Sequence, residues 1–219
     1  MTPGYYLSFL VPISALFCYG ALAIMMARQD PESRVHRFFR VYLLVMMDWS
    51  GASLMLRLNP GQALIWNRVA LVVGGVLMPL AWIMFVVSFL GRNPWNRRIL
   101  PGALLAILLL VATALGYMTK SVATDAQGRV HMQFGPVLPL YFLYWVTYVF
   151  WSAVILVQAY DGAHDPAWRN RIRYPMIGTM LVLVGGATNS IDALSRYPLI
   201  LRPIWSMRCC WPTPLLATS

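Results

Sequence analysis

Residues 69–90, VALVVGGVLMPLAWIMFVVSFL, decide the fold. The stretch holds no charged side chain. At about 1.5 Å per residue a helix of this length reaches about 33 Å, enough to cross ~30 Å of hydrocarbon. Lipid offers the backbone no hydrogen-bond partner, so a helix is the form that satisfies it. Working outward, five similar apolar stretches occupy about residues 5–27, 38–56, 99–118, 137–160 and 175–191. The pattern predicts an all-α, polytopic membrane helix bundle with six spans.

Composition agrees. Hydrophobic residues make up 59% of the chain and charged residues 11%, where a soluble domain carries about 25% charge. The net charge of +10 raises the question of nucleic acid. The cations, however, sit at helix edges and form no interleaved basic–aromatic face, so no nucleic-acid partner is expected. Their distribution gives orientation instead. The first, third and fifth links hold ten: Arg28, Arg34, Arg37, Arg40, Arg92, Arg97, Arg98, Arg169, Arg171 and Arg173. The other side holds five: Arg57, Arg68, Lys120, Arg129 and Arg196. Positive residues favour the cytoplasm, which places the N-terminus outside. No positive segment precedes the first stretch, and it is too long for a signal-peptide core, so it is expected to remain as a span.

The links are short. Asn59-Pro60-Gly61 signals an external turn. The longest link runs over residues 119–136, where Val130, Met132 and Phe134 alternate with His131 and Gln133. That period predicts a small hairpin on the outer membrane face. The fifth link is read as a cytoplasmic loop over residues 161–173. Gly74-Gly75 and Gly185-Gly186 lie inside spans and allow close helix approach. Pro79 should kink the third helix.

Chemical motifs are sparse. The chain has no HExxH motif, no GxSxG elbow and no phosphate-cradling glycine loop, so no catalytic residue is assigned. His36, His131 and His164 are dispersed, and Cys18, Cys209 and Cys210 have no ligand spacing; neither a metal nor a cofactor is expected. Asp48 is the one acid near the middle of a span, where charge is costly. It is expected to be neutral or paired, either holding the bundle together or sensing. Thr188, Asn189 and Asp192 form a second polar group toward the outer end of the sixth span. Trp49, Trp66, Trp82, Trp145 and Trp151 serve packing, interface anchoring or a pocket lining. The candidate ligand-binding residues are therefore Asp48, Trp49, Asn189 and Asp192.

Three segments carry a family resemblance. The first is MDWSGA, residues 47–52. The second comprises LIWNRVAL, residues 64–71, then LMPLAWIMF, residues 77–85, and SFLGR, residues 88–92. The third is Gly128, then Phe134-Gly135-Pro136 leading into YFLYW, residues 141–145. In order and spacing they resemble the N-terminal seven-transmembrane region of bacterial sensor histidine kinases, over about residues 5–199. The resemblance implies a sensory input module of a two-component signalling protein in the bacterial inner membrane. Its partners would be the lipid bilayer and a small-molecule or membrane stimulus, with a homodimer among the assemblies it admits. The alternative function is a small multi-pass transporter or channel, which favours inverted repeats or broken helices at the midplane.

The family pattern calls for a seventh helix and then cytoplasmic output domains. Residues 1–199 read as the transmembrane sensor domain; residues 200–219 read as an anomalous tail with a degraded seventh helix and no kinase. The tail holds Arg202, Pro203, Arg208, Pro212 and Pro214, all unfavourable inside a span. Its codons suggest an out-of-frame reading. Cys209, Cys210 and Trp211 all begin with TG, and a one-base shift places T in the middle of each codon, which encodes apolar residues.

Overall fold

The computed structural model describes the backbone of residues 3–29, 32–94, 99–124 and 130–195. It also describes their side chains, except at residues 3–8, 123–124, 130–131 and 184–195. The tail from residue 196 lies outside the described residues, and with it the expectation about a seventh helix.

The described chain is a helix bundle with one hairpin. Helix α1 spans Pro3–Ala27 and α2 spans Arg34–Leu58. A single turn, Pro60–Gln62, leads into α3, Ala63–Val69. The helix then widens into a π-helical segment, Ala70–Val76, and continues as α4, Leu77–Phe89. Helix α5 is Leu100–Ala114. Strands β1, Thr119–Thr124, and β2, Val130–Phe134, pair antiparallel, as the alternation predicts. Helix α6 is Leu138–Asp161 and α7 is Pro166–Ser195. Among the described residues four helical stretches are long and apolar enough to cross a membrane: Phe9–Ala27, Arg34–Leu58, Pro60–Phe89 and Leu138–Asp161.

The end of α5 explains why that helix is not among them. Helix α5 stops at Gly116, whose φ of +84° favours glycine. Gly116 N–H donates to the Thr113 carbonyl and Tyr117 N–H to the Ala112 carbonyl, which closes a Schellman motif. That leaves 15 residues, about 22 Å of helix. Helix α4 ends in the same way at Gly91, φ +72°, with Gly91 and Arg92 donating to Ser88 and Val87. Helix α7 begins well before residue 175. The Asp165 side chain caps it by accepting from Ala167 N–H at 3.0 Å, and Pro166 takes the first helical position. Arg169, Arg171 and Arg173 therefore ride on helical turns, where the sequence reading placed a loop.

The core is centred on α4, with α2 on one side and α6 on the other. Val76, Ile83 and Val86 of this long helix are fully buried, as are Leu156 and Val149 of α6. Helix α1 packs chiefly on α2 and exposes Leu10, Val11, Phe17 and Ile24 outward, as a lipid-facing helix would. Helix α7 is fixed to α4 by the Trp82 indole, which donates to Thr179 Oγ1 at 3.2 Å, and by Phe89 stacked on Trp168 with centroids 5.3 Å apart. That stacking puts the end of α4 and the start of α7 at one end of the bundle. Helix α3 lies beside β1 at the other end.

Candidate functional site

Two polar regions stand out from the apolar bundle, one in the membrane core and one beneath the hairpin. The first is built around the widened turn at Ala70–Val76. Proline 79 has no N–H to give to the carbonyl four residues earlier, and its ring crowds that carbonyl. Widening the preceding turn to π geometry relieves the crowding. The segment also contains Gly74-Gly75, and Trp49 of α2 sits directly on the pair. A Cβ added at Gly74 would lie 2.6 Å from both Cβ and Cε3 of Trp49. One added at Gly75 would lie 3.0 Å from the Tyr141 hydroxyl and 3.3 Å from Trp49 Cζ3. Tyr144, fully buried on α6, donates its hydroxyl to the Val76 carbonyl at 2.9 Å. Three helices thus meet at a segment whose backbone is irregular. Such π segments recur where helices must deform.

Asp48 immediately precedes Trp49 but belongs to a different stripe of α2. Leu44, one turn earlier, is exposed, and Gly51 has open space where a Cβ would stand. The Asp48 Oδ2 atom is itself buried and has no hydrogen-bond partner. Of the two expected states, neutral or paired, no cross-helix pairing of this oxygen is found among the described residues. Asn189 and Asp192 lie on the last turns of α7, and their side chains are outside the described residues. Of the four candidates, Trp49 is thus the one placed in contact with the irregular segment.

The second region was not legible in the sequence. Of the six buried side-chain polar atoms left without a hydrogen-bond partner among the described residues, three belong to consecutive residues of α3 and a fourth to the first residue of β1. They are Trp66 Nε1, Asn67 Oδ1 and Arg68 Nε on α3, and Thr119 Oγ1 at the start of β1. Asn67 is 5% exposed and Thr119 fully buried. Asn67 donates its amide to Met132 Sδ on β2 at 3.4 Å, which ties α3 to the hairpin. Arg68 reaches the turn before β1: its Nη2 is 2.9 Å from where a Gly116 Cβ would be. A buried group left unsatisfied costs about 1–3 kcal/mol, and more when charged. A seam with several of them is an expensive feature. The polar triplet Trp66-Asn67-Arg68 at a helix start was the available signal. Its orphaned state depends on neighbours that a sequence does not reveal.

At the opposite end Arg173 and Arg169 both engage Tyr160. Arg173 donates to the Tyr160 hydroxyl at 3.0 Å, and Arg169 lies 4.6 Å over the Tyr160 ring. Among the described residues no group of His, Cys, Asp and Glu is arranged to hold a metal.

No curated protein and no solved structure matches the chain. The profile described as the N-terminal 7TM region of histidine kinase matches residues 10–199. That match covers most of the chain, and the apolar helices agree with it. The chain belongs to the N-terminal seven-transmembrane region family of histidine kinases.

Proposed function

We propose that this region is the sensory input part of a bacterial two-component signalling protein, set in the inner membrane with its N-terminus outside. Family membership over residues 10–199 is the observation that carries the reading. In such proteins this region is the non-catalytic part; the chemistry belongs to a kinase elsewhere. Its task is to convert a stimulus into a change of helix position, and any such stimulus must bind two arrangements unequally.

The bundle offers a route for that change. A stimulus at the hairpin end meets α3 first. Helix α3 passes into the π segment, where Trp49, Tyr141 and Tyr144 converge. Beyond it α4 is buried and linked to α7 through Trp82–Thr179 and Phe89–Trp168. A change of register at the wide turn is thereby passed to the arginine-rich end, from which a kinase would read it.

A flux assay tests this reading against a transporter or channel. Proteoliposomes holding the purified chain are expected to retain trapped ions and small solutes as tightly as protein-free vesicles. Saturable, protein-dependent flux would overturn the sensory reading.

A further inference from the structure

We infer that Arg169 and Arg173, held against Tyr160 where α6 meets α7, seat the phosphate of an anionic phospholipid, whose acyl chain lies along an exposed apolar stripe of α7. The seat requires a chain that spans a membrane and nothing of the sensory reading. One ring gathers both cations. The Arg169 guanidinium carbon lies 4.6 Å from the Tyr160 ring centroid and that of Arg173 lies 5.7 Å from it. Arg173 Nη2 also donates to the Tyr160 hydroxyl at 3.0 Å. A spacing of four residues puts the two arginines one turn apart on the same side of α7. Both are exposed.

The partners that hold them are neutral. Arg173 Nη1 donates to Asn170 Oδ1 at 3.3 Å, and Arg169 has the face of the ring. Like charges four residues apart on a helix repel, and a ring and an amide do not cancel that repulsion. Of the acids nearby in the chain, Asp165 is engaged as the cap of α7, and Asp161 is exposed at the end of α6. A phosphate between the two guanidinium forks relieves the repulsion, because the fork matches phosphate oxygens bidentately. The stripe below fits the rest of a lipid. Continuing by fours from Arg173, Ile177 and Leu181 are 58% and 68% exposed. A soluble anion leaves that stripe bare, whereas a phospholipid covers it. Two cations at one ring also disfavour a headgroup that carries its own ammonium, so phosphatidylglycerol is favoured over phosphatidylcholine. Arg171 is exposed too, but it lies about 200° around the helix from Arg169 and from Arg173. It separates this seat from the general attraction of positive residues to an anionic surface.

The test uses the full chain purified in detergent. Phosphatidylglycerol or phosphatidylcholine with the same acyl chains is titrated in, and bound lipid is counted by native mass spectrometry. Wild type is expected to retain phosphatidylglycerol in preference. Arg169→Gln and Arg173→Gln are each expected to lower that retention by about fivefold, and Arg171→Gln by less than about twofold. Should Arg173→Gln fail to fold, Arg169→Gln against Arg171→Gln decides, since Arg169 rests on an exposed contact. Equal retention of the two lipids by wild type would overturn the seat. Equal losses from all three substitutions would show diffuse attraction and would also overturn it. Glycerol phosphate at millimolar concentration carries the headgroup chemistry without the chains and is expected not to displace the lipid. Displacement would reassign the seat to a soluble phosphate and reject the lipid.

Discussion

Asp48 shows how little a lone residue type decides. The sequence marks it because an acid in a span is costly. The structure gives its buried oxygen no partner and places it beside the exposed Leu44 stripe, away from the Trp49 contact. An unpartnered carboxyl loses nothing when it becomes an amide. Asp48→Asn should therefore leave expression and thermal unfolding nearly unchanged, which a melting curve of the purified variant checks; a large loss of stability would reveal a partner. Gly74 is the contrary case. Its paired glycines are visible in the sequence, but which side chain fills the space is a tertiary fact. A Cβ there meets Trp49 at 2.6 Å. Gly74→Ala should cost about 1–3 kcal/mol by overpacking, read as a lowered unfolding temperature. Unchanged stability would mean that Trp49 is free to move away.

At the scale of elements, apolar runs and polar alternation were enough to locate the helices and the hairpin. Both signals are local periodicities that packing then uses. Element ends were less legible. The three arginines at the start of α7 read as a loop because of their charge, whereas the Asp165 cap and Pro166 start the helix before them. Helix α5 ends early because Gly116 takes a left-handed conformation, and glycine identity alone does not announce that. Gly116→Ala should strain the turn by about 1–2 kcal/mol and press on Arg68 Nη2. Hydrogen exchange should then be faster across β1 and the last turn of α5, and unchanged exchange would contradict the closing role of this motif. The π segment was half legible: Pro79 predicts a disturbance, and its form follows from the glycines and the Tyr144 hydroxyl available to it. The link from α4 to α7 is testable in the same terms. Thr179→Val removes the acceptor of the Trp82 indole, and interhelical bonds of this kind contribute about 0.6–1.7 kcal/mol in membranes. A loss in that range is expected on chemical or thermal unfolding, and no loss would remove this bond from the proposed route.

Across the whole molecule, the two ends of the bundle differ in chemistry. One end gathers the links rich in arginine, with Arg169 and Arg173 held on Tyr160. The other carries the hairpin and the unsatisfied seam around Asn67, Arg68 and Thr119. A sensory input module needs the second end outside and the first toward the kinase. The distribution of positive residues predicts those sides independently of any site. Reporters active only in the cytoplasm measure this most directly, fused after Arg98, after Arg129 and after Arg173. Activity after Arg98 and Arg173, with silence after Arg129, is the predicted result. Activity after Arg129 with silence at the other two positions would invert the bundle and contradict the sensory reading.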